Sequence, residues 1–170
     1  IWAIADDVRG AVDGWDFKQY ILGILFYRFI SENMRDYFNK AEREAGDVDF
    51  NYADISDDEA LKYFKTGTVE EKGFFILPSQ LFENIVKNAA KEDNLNVKLD
   101  TIFKEIEVSA IGSGSEEDFK GLFRDVDLTS DRLGESVPEK NMKLTSILVG
   151  ISELNFGNFE DNHIDAFGDA

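Results

Sequence analysis

The sequence contains no cysteine, one histidine and two prolines among its 170 residues. Without cysteine the chain can form neither disulfide bonds nor thiolate metal sites, and this composition is typical of the reducing cytoplasm. The single histidine, His163, has no second histidine or cysteine with which to share a metal ion. We interpret it, with Asp161 and Asp165, as part of a solvated helix start, and we expect neither a metal site nor histidine-dependent catalysis.

Basic residues are also scarce, with 18 lysines and arginines against 35 aspartates and glutamates. The resulting formal charge of −17 repels phosphate and argues against nucleic-acid binding by the chain alone. Strong acidity is common on ordinary soluble domains, which is the interpretation we favour over a functional acidic surface. The lysines of two predicted neighbouring helices could form a local basic face, but we do not favour one: Lys87, Lys91, Lys98 and Lys104.

Long apolar runs are absent as well. The longest, from Tyr20 to Ile30, is interrupted by Gly23 and Arg28 and falls short of the roughly 20 residues of a membrane-spanning helix. Acidic residues near the start, with the apolar run coming later, do not fit a signal peptide. The sequence does not begin with Met, from which we expect a trimmed chain, and we predict no contact with a membrane.

What the sequence does contain is 43% hydrophobic residues, enough for the core of one domain. A helical pattern runs from Asp16 to about Ala45, with Gly46 as a stop signal. Apolar residues cover nearly every side of its first half, which predicts a central helix. After Ser31 they thin to one stripe containing Met34, Tyr37 and Phe38, so we expect that half at the surface.

The sequence pattern predicts further helices in the rest of the chain. Asp57 can cap a short helix ending at Gly67, within an acidic surface excursion, and the segment 73–77 predicts a short strand or a buried extended stretch before Pro78. Helical stripes follow at 78–93, 95–110 and from Pro138, and Ser115 with Asp118 resembles a capping box. We predict a mainly α fold, an irregular multi-helix bundle with at most a small β element.

Several segments resemble known binding sites only in part. Asp125, Asp127, Thr129 and Asp131 have the alternate spacing of a calcium loop, but its glycine and final glutamate are missing, so we favour a hydrogen-bonded turn. Gly112–Gly114 lacks the third glycine and preceding strand of a phosphate loop, and predicts a helix connection. The phenylalanines lie on apolar stripes and are interpreted as core. For Arg28 we favour a partly buried ion pair over a partner contact.

Segments distributed along the whole chain resemble the N-terminal region of modification (M) subunits of type I restriction-modification enzymes. The matching segments are Trp2–Gly10, Gly14–Ser31, Gly73–Pro78, Leu122–Asp127, Arg132–Gly134 and Asp165–Ala170. The resemblance implies that residues 1–160 form a helical N-terminal domain. It also implies that 161–170 begin the connection to a catalytic domain that this chain, ending abruptly, does not contain.

In that family the catalytic domain binds S-adenosylmethionine and methylates adenine through a glycine-rich loop and an Asn-Pro-Pro-Tyr/Phe motif. Neither occurs here. The only prolines are the isolated Pro78 and Pro138, so the Asn-Pro-Pro-Tyr/Phe motif cannot be formed. We therefore expect no catalytic, cofactor-binding or metal-binding residue in this chain. The resemblance implies partners instead: a specificity subunit, a second M subunit, a restriction subunit, and DNA through the assembled complex.

The amphipathic half after Ser31 could lie in a groove of such a partner. Our candidate contact residues are Met34, Arg35, Tyr37 and Phe38. The alternative, which we favour slightly, is that they pack only within the domain. Two other functions compete with an assembly role: an acidic DNA mimic, which the clustering of acids in loops disfavours, and a stand-alone enzyme, which the missing motifs disfavour.

Overall fold

The computed structural model describes residues 14–155, with side chains from residue 18 onward. Within this range the chain forms these α-helices: α1 (Gly14–Glu44), α2 (Asp57–Tyr63), α3 (Lys65–Lys72), α4 (Phe82–Asn88), α5 (Leu95–Ser109), α6 (Glu116–Phe119) and α7 (Val137–Ser152). Short 3-10 helices occur at Tyr52–Asp54, Pro78–Gln80 and Ala89–Lys91. No strand occurs between residues 14 and 155, so the predicted mainly α class is confirmed.

The long helix α1 is the centre of the domain, as its all-round apolar pattern predicts. It packs against both α4 and α7, and Tyr20, Ile24 and Tyr27 are at most 2% exposed. The predicted stop is also confirmed: Gly46 adopts φ +118°, and its amide bonds to the Arg43 carbonyl at 3.2 Å. A left-handed residue after the last turn is favourable for glycine because it has no Cβ.

The expectation that α1 lies at the surface after Ser31 is wrong for its apolar stripe. Met34 and Phe38 are 0% and 4% exposed. The chain after α1 folds back over them, so that the Phe38 ring lies 4.4 Å from that of Tyr52 and 5.0 Å from that of Phe64, centroid to centroid. The apolar stripe of Met34 and Phe38 is a buried face, and the segment that covers it belongs to the same domain.

This returning segment is less superficial than its acidic sequence suggests. Tyr52 is fully buried, and Ser56, not Asp57, caps α2 by accepting a hydrogen bond from the Glu59 amide at 3.2 Å. Gly67 does not end the helical stretch, which continues as α3. The stop is Gly73, whose φ of +86° and close approach to the Ser115 side chain leave no room for a Cβ.

The segment 73–77 is the buried extended alternative of the sequence prediction. Because no strand pairs with it in the described chain, side chains satisfy its backbone groups. The Phe75 amide donates to Ser109 Oγ at 2.9 Å, and the Ile76 amide lies 3.2 Å from Met34 Sδ. The Tyr52 hydroxyl donates to the Ile76 carbonyl at 2.6 Å. This segment therefore ties α1 and α5 together.

The predicted helices after Pro78 are present as the 3-10 turn and α4, then α5 and α7. Asn141 of α7 caps α5, since its Oδ1 accepts from the Asn96 amide at 3.0 Å and its Nδ2 donates to the Asp93 carbonyl at 2.8 Å. The capping box at Ser115 is wrong. That side chain makes no cap bond, and α6 is a single turn. The predicted helix start at Asp161, His163 and the predicted connection 161–170 lie outside the described residues.

Candidate partner-binding surface

The four candidate contact residues separate into two pairs. Met34 and Phe38 belong to the core described above, whereas Arg35 and Tyr37, which flank this buried stripe on opposite sides of α1, are half-buried. This separation follows from the helical period, because residues one position apart on a helix point about 100° away from each other. Only Arg35 and Tyr37 can therefore touch a partner without opening the domain.

Arg35 connects two helices of the domain. Its Nε lies 3.0 Å from Asp36 Oδ1 on α1, and its guanidinium lies 3.0 Å from Glu83 Oε1 on α4. Burial lowers the pKa of Arg35, but the hydrogen bonds to Asp36 and Glu83 outweigh that effect and the pKa is raised overall. The Arg35 side chain is 25% exposed, and its guanidinium already has two carboxylate partners, so its main contact is internal.

Tyr37 lies where α1 meets α3. Its hydroxyl donates to the Glu71 carboxylate, and the Lys72 ammonium lies 4.6 Å from its ring centroid, within range of a cation–π contact. The hydrogen bond to Glu71 raises the pKa of Tyr37, with burial and the Glu71 charge adding to the effect. These two contacts fix the position of the Tyr37 ring, which remains partly exposed.

A shallow cavity of 270 Å³ opens beside this ring. Its lining combines two aromatic rings, an amide, two carboxylates and two lysines: Phe29, Glu32, Asn33, Asp36, Tyr37, Lys40 and Lys72. We call these seven residues the Tyr37 surface. All of them except Lys72 lie on α1 at helical spacing, so the sequence pattern alone could have placed these six on one side of the helix. Lys72 could not be found this way, because it comes from α3.

Arg28 makes the ion pair that the sequence favours. Its Nε lies 2.8 Å from Glu32 Oε1, and its side chain is only 12% exposed. The same guanidinium also donates to the carbonyls of Ile151 and Leu154, at 2.6 Å and 2.8 Å. Arg28 therefore joins the middle of α1 to the end of α7.

The discarded sites behave as turns and connections. Asp127 Oδ1 accepts from the Thr129 amide at 3.0 Å and from its hydroxyl at 2.9 Å, as expected for a hydrogen-bonded turn. Across residues 14–155, no group of three or more acidic or histidine side chains is placed to hold a metal ion. Lys98 and Lys104 pair with Glu92 and Asp100, so neither contributes an unpaired charge to a basic face.

The glycine-rich connection 112–114 does not fit a cofactor either. The Ser113 hydroxyl lies 2.8 Å from the Gly73 carbonyl and 2.7 Å from that of Ala110, so the loop is engaged by its own domain. The Gly112 amide donates to Glu116 Oε2 at 3.1 Å, which places a carboxylate where a phosphate would need to lie. None of the helices in the described part of the chain is long and apolar enough to cross a membrane.

Known proteins resemble this chain in both sequence and fold. The type I restriction enzyme MpnII methylase subunit of Mycoplasma pneumoniae is 48% identical to this chain over an alignment 176 residues long. The alignment covers 100% of this chain and 32% of that protein. The type I restriction-modification system methyltransferase subunit from Streptococcus thermophilus matches in structure with a TM-score of 0.67 and 24% identity, covering 94% of this chain and 34% of that one. The chain thus spans about a third of the length of either protein.

The family itself is shown by a broader match. The family model described as the HsdM N-terminal domain covers residues 1–151 of this chain. That range includes α1 to α7 almost completely, so the helical body described above is the unit that the family shares. The resemblance drawn from the sequence segments is therefore confirmed, and the chain belongs to the HsdM N-terminal domain family of type I restriction-modification methyltransferase subunits.

Proposed function

We propose that this domain is the assembly module of a type I M subunit, binding partner subunits and taking no part itself in methyl transfer. The observation that carries the proposal is membership of the family over residues 1–151, in a helical body that offers an accessible, rigidly held surface. In the complete protein, S-adenosylmethionine and the target adenine would be bound outside this chain. The connection to that part would begin at residues 161–170, and the site of action is the cytoplasm.

The Tyr37 surface is the contact region that we propose for the specificity subunit. Interfaces are enriched in tyrosine and arginine, and a ring whose position is fixed before binding loses little entropy when it is buried. Tyr37 meets this condition through Glu71 and Lys72. Of the four candidates, only Tyr37 lies in this surface; Arg35 remains a candidate contact on the other flank of α1, while Met34 and Phe38 support the helix from within.

The second M subunit and the restriction subunit complete the proposed assembly, and DNA enters it through the complex. A chain of charge −17 gains little from phosphate contacts of its own. Its acidic surface instead suits basic or mixed-charge protein partners. The Tyr37 surface carries two carboxylates and two lysines, and so can pair with both signs of charge on a partner helix.

The test compares two tyrosines whose rings each lie near a lysine ammonium, the half-buried Tyr37 and the exposed Tyr63. Tyr37→Ala removes the ring of the Tyr37 surface, and Tyr63→Ala is the matched control, because Tyr63 is 67% exposed and also lies below a lysine, Lys62, at 5.1 Å. Calorimetric titration with purified specificity subunit should show an affinity loss of about 10-fold or more for Tyr37→Ala and no change for the control. Normal folding and unchanged binding of Tyr37→Ala would remove the proposed contact.

A further inference from the structure

Arg28 occupies an unusual position for a charged residue. It lies in the apolar half of α1, its side chain is 12% exposed, and it reaches across the domain to the C-terminal end of α7. There its guanidinium donates to the carbonyls of Ile151 and Leu154, while Glu32, one turn further along α1, holds its Nε at 2.8 Å. Three hydrogen bonds thus converge on one buried cation.

The chemistry of a helix end explains why an arginine suits this position. The last carbonyls of a helix have no partner within the helix, and the helix dipole makes that end negative. A guanidinium offers several N–H donors in a rigid plane, so one side chain can cap two carbonyls and still pair with a carboxylate. A lysine ammonium has donors but not that fixed fork.

The contacts occur where α7 stops and the chain continues. Ser152 ends α7, the Leu154 amide bonds to the Ile151 carbonyl at 3.2 Å, and the Leu154 side chain packs against the core. The Arg28 hydrogen bonds join this end of α7 to α1, in addition to the apolar packing of Leu154.

We propose that Arg28 is a positioning residue that locks the end of α7 to α1 and so fixes the orientation of residues 152–155, the last residues of the described helical body. Glu32 orients the guanidinium, and the Ile151 and Leu154 carbonyls are what it holds. Glu32 also lines the Tyr37 surface, but the hydrogen bonds that hold the end of α7 are made within the domain and need no bound partner. It is a conformational device of the domain itself.

The absence of cysteine makes a direct test possible, because spin labels can be attached at introduced cysteines alone. One label pair joins Val48 and Glu153, and reports on the end of α7. The control pair joins Val48 and Val97, and reports on the body of the domain. All three positions are exposed, with Val48 at 72% and Val97 at 56%.

In the Arg28→Met variant, the distance distribution of the 48–153 pair should broaden clearly while that of the 48–97 pair stays as narrow as before. Amide exchange near residue 153 should accelerate by about 10-fold or more, since charge-assisted hydrogen bonds are lost there. Arg28→Lys should restore only part of the order, and Glu32→Gln should broaden the first pair less than Arg28→Met does.

Two results would overturn the proposal. An unchanged 48–153 distribution in Arg28→Met would show that apolar packing alone holds the end of α7. Equal broadening of both pairs would show that Arg28 supports the core in general and has no particular effect on the end of α7.

Discussion

Gly23 is the position where one added methyl group tests the packing of α1 most sharply. A Cβ at Gly23 would lie 2.3 Å from Cγ2 of Val126 and 3.6 Å from its Cβ. Val126 is 7% exposed, and its β-branched side chain has little rotamer freedom with which to move aside. Gly23→Ala should therefore force α1 away from the loop that follows α6.

The size of the effect follows from two opposing terms. Alanine is more favourable than glycine inside a helix by about 1 kcal/mol, whereas overpacking a core contact costs about 1–3 kcal/mol. Gly67 in α3 isolates the first term, because nothing lies within 4 Å of a Cβ built there. Gly67→Ala should stabilise the domain slightly, and Gly23→Ala should be less stable than Gly67→Ala by about 1–3 kcal/mol.

The assay is urea unfolding followed by far-ultraviolet circular dichroism, with midpoints compared at equal slope. Val126→Ala supplies the second control, since it removes the methyl group that the new Cβ would meet. In the double variant the clash should disappear, giving a favourable coupling energy of about 1 kcal/mol or more. Equal stability of Gly23→Ala and Gly67→Ala would refute the close approach of α1 and Val126.

Two further predictions concern buried polar groups. Burial raises the pKa of the Tyr27 and Tyr52 phenols, with Asp57 adding to the effect at Tyr52. The stability that these neutral phenols contribute is present below the tyrosine pKa of the unfolded chain, about 10, and is lost as the pH rises above that value. Urea unfolding midpoints measured from neutral to alkaline pH, together with tyrosinate absorbance, would check this. Asn141→Ala should lower the free energy of unfolding by about 1–2 kcal/mol by removing the cap of α5, and Asn141→Asp should lower it less; an unchanged urea midpoint would contradict that role.

Helices with a strong period were predictable from the sequence, and buried polar contacts decided most of what was not. The extent of α1, its stop at Gly46 and the stripe of α5 follow directly from residue spacing. Aspartate favours the capping position, which points to Asp57 as the cap of α2, but Ser56 precedes it with an equally suitable side chain and makes the cap bond. Neighbouring capping residues cannot be ranked by propensity alone.

The surface position predicted for the second half of α1 failed for a different reason. One apolar stripe shows that a face is buried, but it does not show whether the cover is a partner or the same chain. Here the cover contains Tyr52 and Phe64, from a segment whose aspartates suggested exposure. The Tyr37 surface could likewise be predicted only in part from the sequence, because Lys72 comes to it from α3, which is distant along the chain.

In our proposal, this domain acts through protein partners and engages DNA only within the assembled enzyme. Binding of the labelled chain to DNA can be measured at several salt concentrations, alone and with purified specificity subunit. We expect no appreciable binding by the chain alone, since its charge of −17 repels phosphate, and recruitment to DNA when the specificity subunit is present. Tight, salt-sensitive binding by the chain alone would contradict it.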